Sequence, residues 1–188
     1  MDSTGVGVNV TFQSMNPQIA GFDEPLLMLK SCHDRIRAQC EVLQNLAVHM
    51  QTHGCDGQAQ QAASNVMRYF DSAGRHHHED EELDLFPRMI AAATGQNAER
   101  VALLVEQLKH EHREMEKMWS GLSKTLELIA HGGSAALDAL EVSRFCAVYR
   151  AHIALEDANM IPLASHLLGK RELAAIGEAM AARRGIRS

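Results

Sequence analysis

The stretch Arg75-His76-His77-His78-Glu79-Asp80-Glu81-Glu82-Leu83-Asp84-Leu85-Phe86-Pro87 decides the fold, because its pattern is written twice. The second copy is Arg150-Ala151-His152-Ile153-Ala154-Leu155-Glu156-Asp157-Ala158-Asn159-Met160-Ile161-Pro162, and Phe70 and Phe145 stand ahead of the two copies. Phenylalanine, arginine, histidine, glutamate and proline all recur 75 positions later. Histidine and glutamate four apart share one helix face, so both can reach one metal ion. A shorter repeat precedes each copy, Leu29-Lys30-x-x-His33 and Leu108-Lys109-x-x-His112. The chain reads as two similar helix pairs folded against each other, offering four imidazoles and two carboxylates to one interior site.

The register follows from the repeat. His-x-x-x-Glu occurs at 77/81, 78/82, 110/114, 112/116 and 152/156, but only 77/81 and 152/156 carry the flanking Phe and Pro. This selects His33, His77, Glu81, His112, His152 and Glu156 as metal ligands. His78 lies about 100° further round an ideal helix. It becomes a fifth imidazole if the helix rotates or the site is crowded. Glu82 is expected to matter little. Histidine and glutamate without cysteine point to non-haem iron first, with manganese or zinc as substitutes. Glu81 and Glu156 can bridge two ions, with His33 and His77 on one and His112 and His152 on the other; the sequence leaves the partition open. Burying these groups with no metal would strand polar atoms at high cost. His76, His110, His131 and His166 read as solvated or capping.

The remaining composition narrows the class. One domain with one sizeable core suits 188 residues. Aromatics are only 4%, while Ala, Leu and Met are plentiful, which favours helices over sheet. The net charge of −6 and the lack of a long basic run disfavour nucleic-acid binding. Arg183, Arg184 and Arg187 read as a solvated basic end. Four cysteines without C-x-x-C spacing read as reduced thiols of a cytoplasmic protein. No leader and no membrane span are expected. Residues 1–22 read as a flexible arm, and 23–188 as the helical domain. Its helices are expected over about 25–53, 59–92, 98–130 and 135–168, with a short fifth from 171 to 183. Short loops imply an all-α, up-down-up-down antiparallel four-helix bundle.

On His33, His77-x-x-x-Glu81 with Glu82 and Leu85-Phe86-Pro87, Glu111-His112, and His152-x-x-x-Glu156 with Ile161-Pro162, residues 25–168 resemble the hemerythrin family in its bacterial HHE cation-binding branch. The resemblance implies a four-helix bundle around a bridged di-iron centre that binds O2 or senses O2, iron or nitric oxide. Oxygen carriers of the family use a second helix-3 histidine one turn beyond the first; Glu116 stands at that place. The expected function is binding of O2 or a similar small ligand for storage, sensing or detoxification. The alternatives are a di-iron enzyme consuming peroxide or nitric oxide, and a metal-responsive interaction module.

Overall fold

The computed structural model describes residues 21–186. Most of the expected arm, residues 1–20, and the last two residues lie outside the described residues. Among those described there are five helices and no strand. Helix α1 is Pro25–His53, with Pro25 in its first turn and Gly54 at φ 71° closing it. Helix α2 runs over 57–92, its first turn capped by the Asp56 carboxylate, which accepts from the Gln58 and Ala59 amides. Helix α3 is Gln96–Ala130, and α4 runs over 139–167. Helix α5 is Lys170–Arg183. Helix α4 begins four residues later than expected, because Asp138 caps it by accepting from the Leu140 amide.

Helices α2 and α4 are not uniform. Turns of π-helix interrupt α2 at Phe70–Gly74 and Asp80–Leu85, and α4 at Glu156–Met160. The last two have a cause in the repeat. A proline inside a helix has no N–H and its ring crowds the carbonyl four residues back. In both copies the residue just before the proline donates its N–H five residues back, Phe86 to the Glu81 carbonyl and Ile161 to the Glu156 carbonyl. This wider turn lets the helix pass the proline and continue to Ala92 and Leu167. Pro87 and Pro162 therefore widen their helices at the ligand glutamates without ending them. Gly74 has a steric reason: a Cβ there would lie 3.3 Å from Phe70 Cδ1.

Packing places the polar residues in one layer. Helices α1 and α2, α2 and α3, α3 and α4, and α4 and α1 pack as neighbours. One apolar cluster joins Ile36 and Leu43 of α1, Phe70 of α2, Met115 of α3 and Phe145 of α4. A second joins Leu29, Leu85, Leu108 and Met160 from the same four helices. On every helix the repeat-matched His or Glu lies between the two clusters in sequence. Helix α5 packs on α1 and on the second π turn of α2. A Cβ on Gly177 of α5 would meet the Phe22 carbonyl oxygen at 1.8 Å, so the close approach requires glycine. Arg183 and Arg184 are not a solvated tail: both pair with the fully buried Asp80, and Arg183 Nη2 also donates to Asp84 Oδ2 at 2.6 Å. No helix of the described residues is long and apolar enough to cross a membrane.

Candidate metal centre

His33, His77, His112, His152, Glu81 and Glu156 are all buried and converge on one interior point. Donor atoms of His33, His77, Glu81 and Glu156 lie within 4.8 Å of one another, as do those of Glu81, His112, His152 and Glu156. His78 joins them, grouping with His112 and His152 on the same criterion. Its ring stacks on His112 with centroids 4.0 Å apart. An ideal helix would turn His78 away, but this segment is a single turn of α-helix between two π turns. Glu116 is exposed on α3 and belongs to none of these groups. His110, His131 and His166 are also exposed.

The carboxylates divide their oxygens between the two imidazole groups. Glu156 Oε2 lies 3.1 Å from His33 Nε2, and its Oε1 lies 3.1 Å from His152 Nε2. Glu81 Oε1 lies 3.6 Å from His77 Nε2, and its Oε2 lies 3.3 Å from His112 Nε2. None of the four carboxylate oxygens is aligned as a hydrogen-bond acceptor, and the ring nitrogens of His77, His33 Nε2 and His78 Nε2 are likewise buried without partners. Such a set of orphaned lone pairs is costly unless a cation gathers them.

Three histidines have their tautomer fixed from behind. His33 Nδ1 donates to Asp157 Oδ1 at 2.8 Å, His112 Nδ1 to Glu82 Oε1 at 2.8 Å, and His152 Nδ1 to Glu111 Oε2 at 2.7 Å. A carboxylate only accepts, so each Nδ1 carries a proton and a neutral ring turns a bare Nε2 lone pair inward. His112 Nε2 and His152 Nε2 then face each other at 3.1 Å. Two bare lone pairs at that distance repel, so without an ion one of the rings must take up a second proton. Two nitrogens bound at right angles, ~2.1 Å from one ion, stand roughly 3.0 Å apart. The donor set thus fits a metal.

The electrostatics follow from burial and from the two central carboxylates. Burial pushes the His77 and His78 imidazoles well below the ordinary value, so both are neutral. Burial also acts against the charged forms of His33 and His152, but the Glu156 carboxylate outweighs it and holds both above the ordinary value. Burial and then the Glu156 charge hold the Glu81 carboxyl well above the carboxylate range. Glu156 is equally buried, but the His152 charge overrides this and keeps it ionised. Outside, the bond from His112 lowers Glu82. Asp157 is lowered against its burial by Arg37, which donates to it at 2.7 Å, and by His33.

Glu82 therefore corrects the expectation that it matters little. The sequence did hold a signal: Glu82 and Asp157 are themselves 75 positions apart, and each backs a histidine of the shorter repeat. Glu111 had no such signal. Its repeat counterpart is Cys32, 79 positions earlier, and the His77 Nδ1 is left without a partner. Burial pushes the Cys32 thiol up, which makes it inert. One cleft of about 550 Å³ approaches this layer between α2 and α3, lined by Phe70, Trp119 and Tyr149 and reaching His78 and His112.

A protein of Haemophilus influenzae described as uncharacterized is 29% identical over 176 residues, covering 93% of this chain and 99% of that one. The family model of the hemerythrin HHE cation-binding domain matches residues 25–164, a span that takes in every converging histidine and glutamate, and the chain belongs to that family.

Proposed function

We propose that the chain is a hemerythrin-like non-haem di-iron protein that binds O2 or a related small ligand, for storage, sensing or detoxification. The observation that carries this is the straddling placement of Glu81 and Glu156, each with one oxygen toward either imidazole group. On this reading His33 and His77 hold one ion and His78, His112 and His152 the other, with both glutamates bridging. Iron supplies two accessible oxidation states for small-ligand binding; manganese or zinc fit the same donors. The pair His33 and His77 offers one imidazole fewer than its neighbour, which leaves room for the ligand on that side. Leu29 and Ile36, on either side of His33, keep bulk water out. The order of the two apolar clusters supports an antiparallel bundle: one joins the starts of α1 and α3 to the ends of α2 and α4. The free cysteines favour a reducing, cytoplasmic setting.

The test is metal content with the visible spectrum, on protein reduced and then re-exposed to O2. About two irons per chain and a reversible O2-dependent band are expected; zinc alone, or no metal after reconstitution, overturns the reading. The cleft that reaches His78 and His112 favours a second reading, an enzyme consuming peroxide or nitric oxide, because it gives a substrate a route from solvent to that imidazole group. Turnover of either compound above that of free iron would establish it.

A further inference from the structure

Outside the metal layer, α1 and α4 bring two cysteines together. Cys40 and Cys146 are both fully buried, and Cys146 Sγ donates to the Cys40 carbonyl oxygen at 3.5 Å. That bond sets the Cys146 sulfur against Cys40 across the contact of the two helices. The internal repeat sets this pair apart. Its counterparts, 79 and 75 positions away, are Trp119 and Asp71, where the indole Nε1 donates to Asp71 Oδ1 at 2.8 Å beside the open cleft. At the matching place on the opposite side of the domain the helices instead meet through two sulfurs. One turn further along each helix, Arg150 donates to Gln44 Oε1 at 2.7 Å in an exposed bridge. The two cysteines thus lie one helical turn from an exposed polar bridge.

We propose that Cys40 and Cys146 form a redox-active dithiol, which a hydroperoxide converts into a disulfide that fastens α1 to α4. The Cys146 sulfur already lies against the Cys40 backbone, and the bridge requires the two sulfurs to close to the ~2.05 Å of a disulfide. We take Cys146, one turn from the Arg150 guanidinium on the same helix, as the first nucleophile. Its thiolate attacks the peroxide: an S–O bond forms, the O–O bond breaks, and the leaving oxygen takes up the proton released by the thiol. Cys40 sulfur then attacks the sulfenic sulfur, the S–S bond forms, the S–O bond breaks, and water leaves with the Cys40 proton. Each sulfur gives up one electron, and one hydrogen peroxide becomes two waters. At ~1.5 Å per residue, the bridge would sit about 10 Å from His33 along α1 and about 9 Å from His152 along α4.

The experiment uses the full chain as purified, reduced, freed of reductant and treated with hydrogen peroxide. Thiols titrated in denaturant should fall from four to two, non-reducing peptide mapping should recover one Cys40–Cys146 crosslink, and dithiothreitol should restore all four. Cys55→Ala should keep the crosslink, while Cys40→Ala and Cys146→Ala should each abolish it. The wild-type peptide map decides the matter even if either core variant fails to fold. Recovery of Cys40 and Cys146 as free thiols while Cys55 is oxidised, or a crosslink through Cys55 or Cys32 instead, overturns the proposal.

Discussion

His78 and Glu82 are the two residues whose roles the spacing of the chain misjudges, and for different reasons. An ideal helix carries His78 away from His77, but the π turns on either side change the phase, so consecutive histidines both face inward. Glu82 is off the ligand face and acts through His112. The expected consequences separate cleanly. Glu81→Ala should abolish stoichiometric metal binding, since it strips donors from both imidazole groups. Glu82→Ala should weaken affinity about 10- to 100-fold, the usual effect of removing a partner behind a ligating histidine. His78→Ala should lower the metal stoichiometry, whereas Glu116→Ala, on the exposed face of α3, should leave it unchanged. Metal titration with stoichiometry read by elemental analysis distinguishes all four. The six repeat-matched ligand positions were legible because duplication marks them; the repeat does not mark Glu111, whose counterpart is a cysteine, and only the family resemblance sets it beside His112.

At the scale of the element, the repeat-matched prolines explain more than a helix boundary would. Each is preceded by a widened turn that starts at or one residue before the ligand glutamate, a coupling that spacing alone does not reveal because an ideal helix has a single pitch. Pro87→Ala removes the reason for that turn. It should weaken metal binding several-fold with little loss of helicity, checked by metal titration beside circular dichroism. Gly74 gives a test of packing against propensity. Alanine in a helix interior is normally more stable than glycine by about 1 kcal/mol. Here the added Cβ presses on Phe70, whose ring is held by Trp119, Phe145 and Tyr149 at centroid distances of 4.8, 5.2 and 5.4 Å. Gly74→Ala should therefore show no such gain in urea unfolding. The helix positions themselves were readable from periodicity, apart from the start of α4, where alanines at 135 and 136 look helical but Asp138 holds the cap.

Over the whole molecule, the polar layer and α5 share a dependence on charge pairing. Chelating the metal should lower the melting temperature, because it leaves the converging lone pairs buried without compensation. Replacing both Arg183 and Arg184 by alanine should cost about 3 kcal/mol, since Asp80 would remain buried and unpaired. Urea unfolding measures that cost, and hydrogen exchange should report loosening of α5 and of the adjoining π turn before the rest of the domain. These arginines were misread from sequence because a basic cluster after a helix is ordinarily solvated, and nothing local names a partner more than a hundred positions away. The same separation bears on biosynthesis. Asp80 leaves the ribosome 103 and 104 residues ahead of its two cations. At ~5–20 residues per second this is a wait of roughly 5 to 20 s, during which the segment beside Glu81 cannot settle into its buried position. Maturation of the metal layer is thereby deferred until translation has passed α5, and a nascent chain stalled before that point should retain no ion.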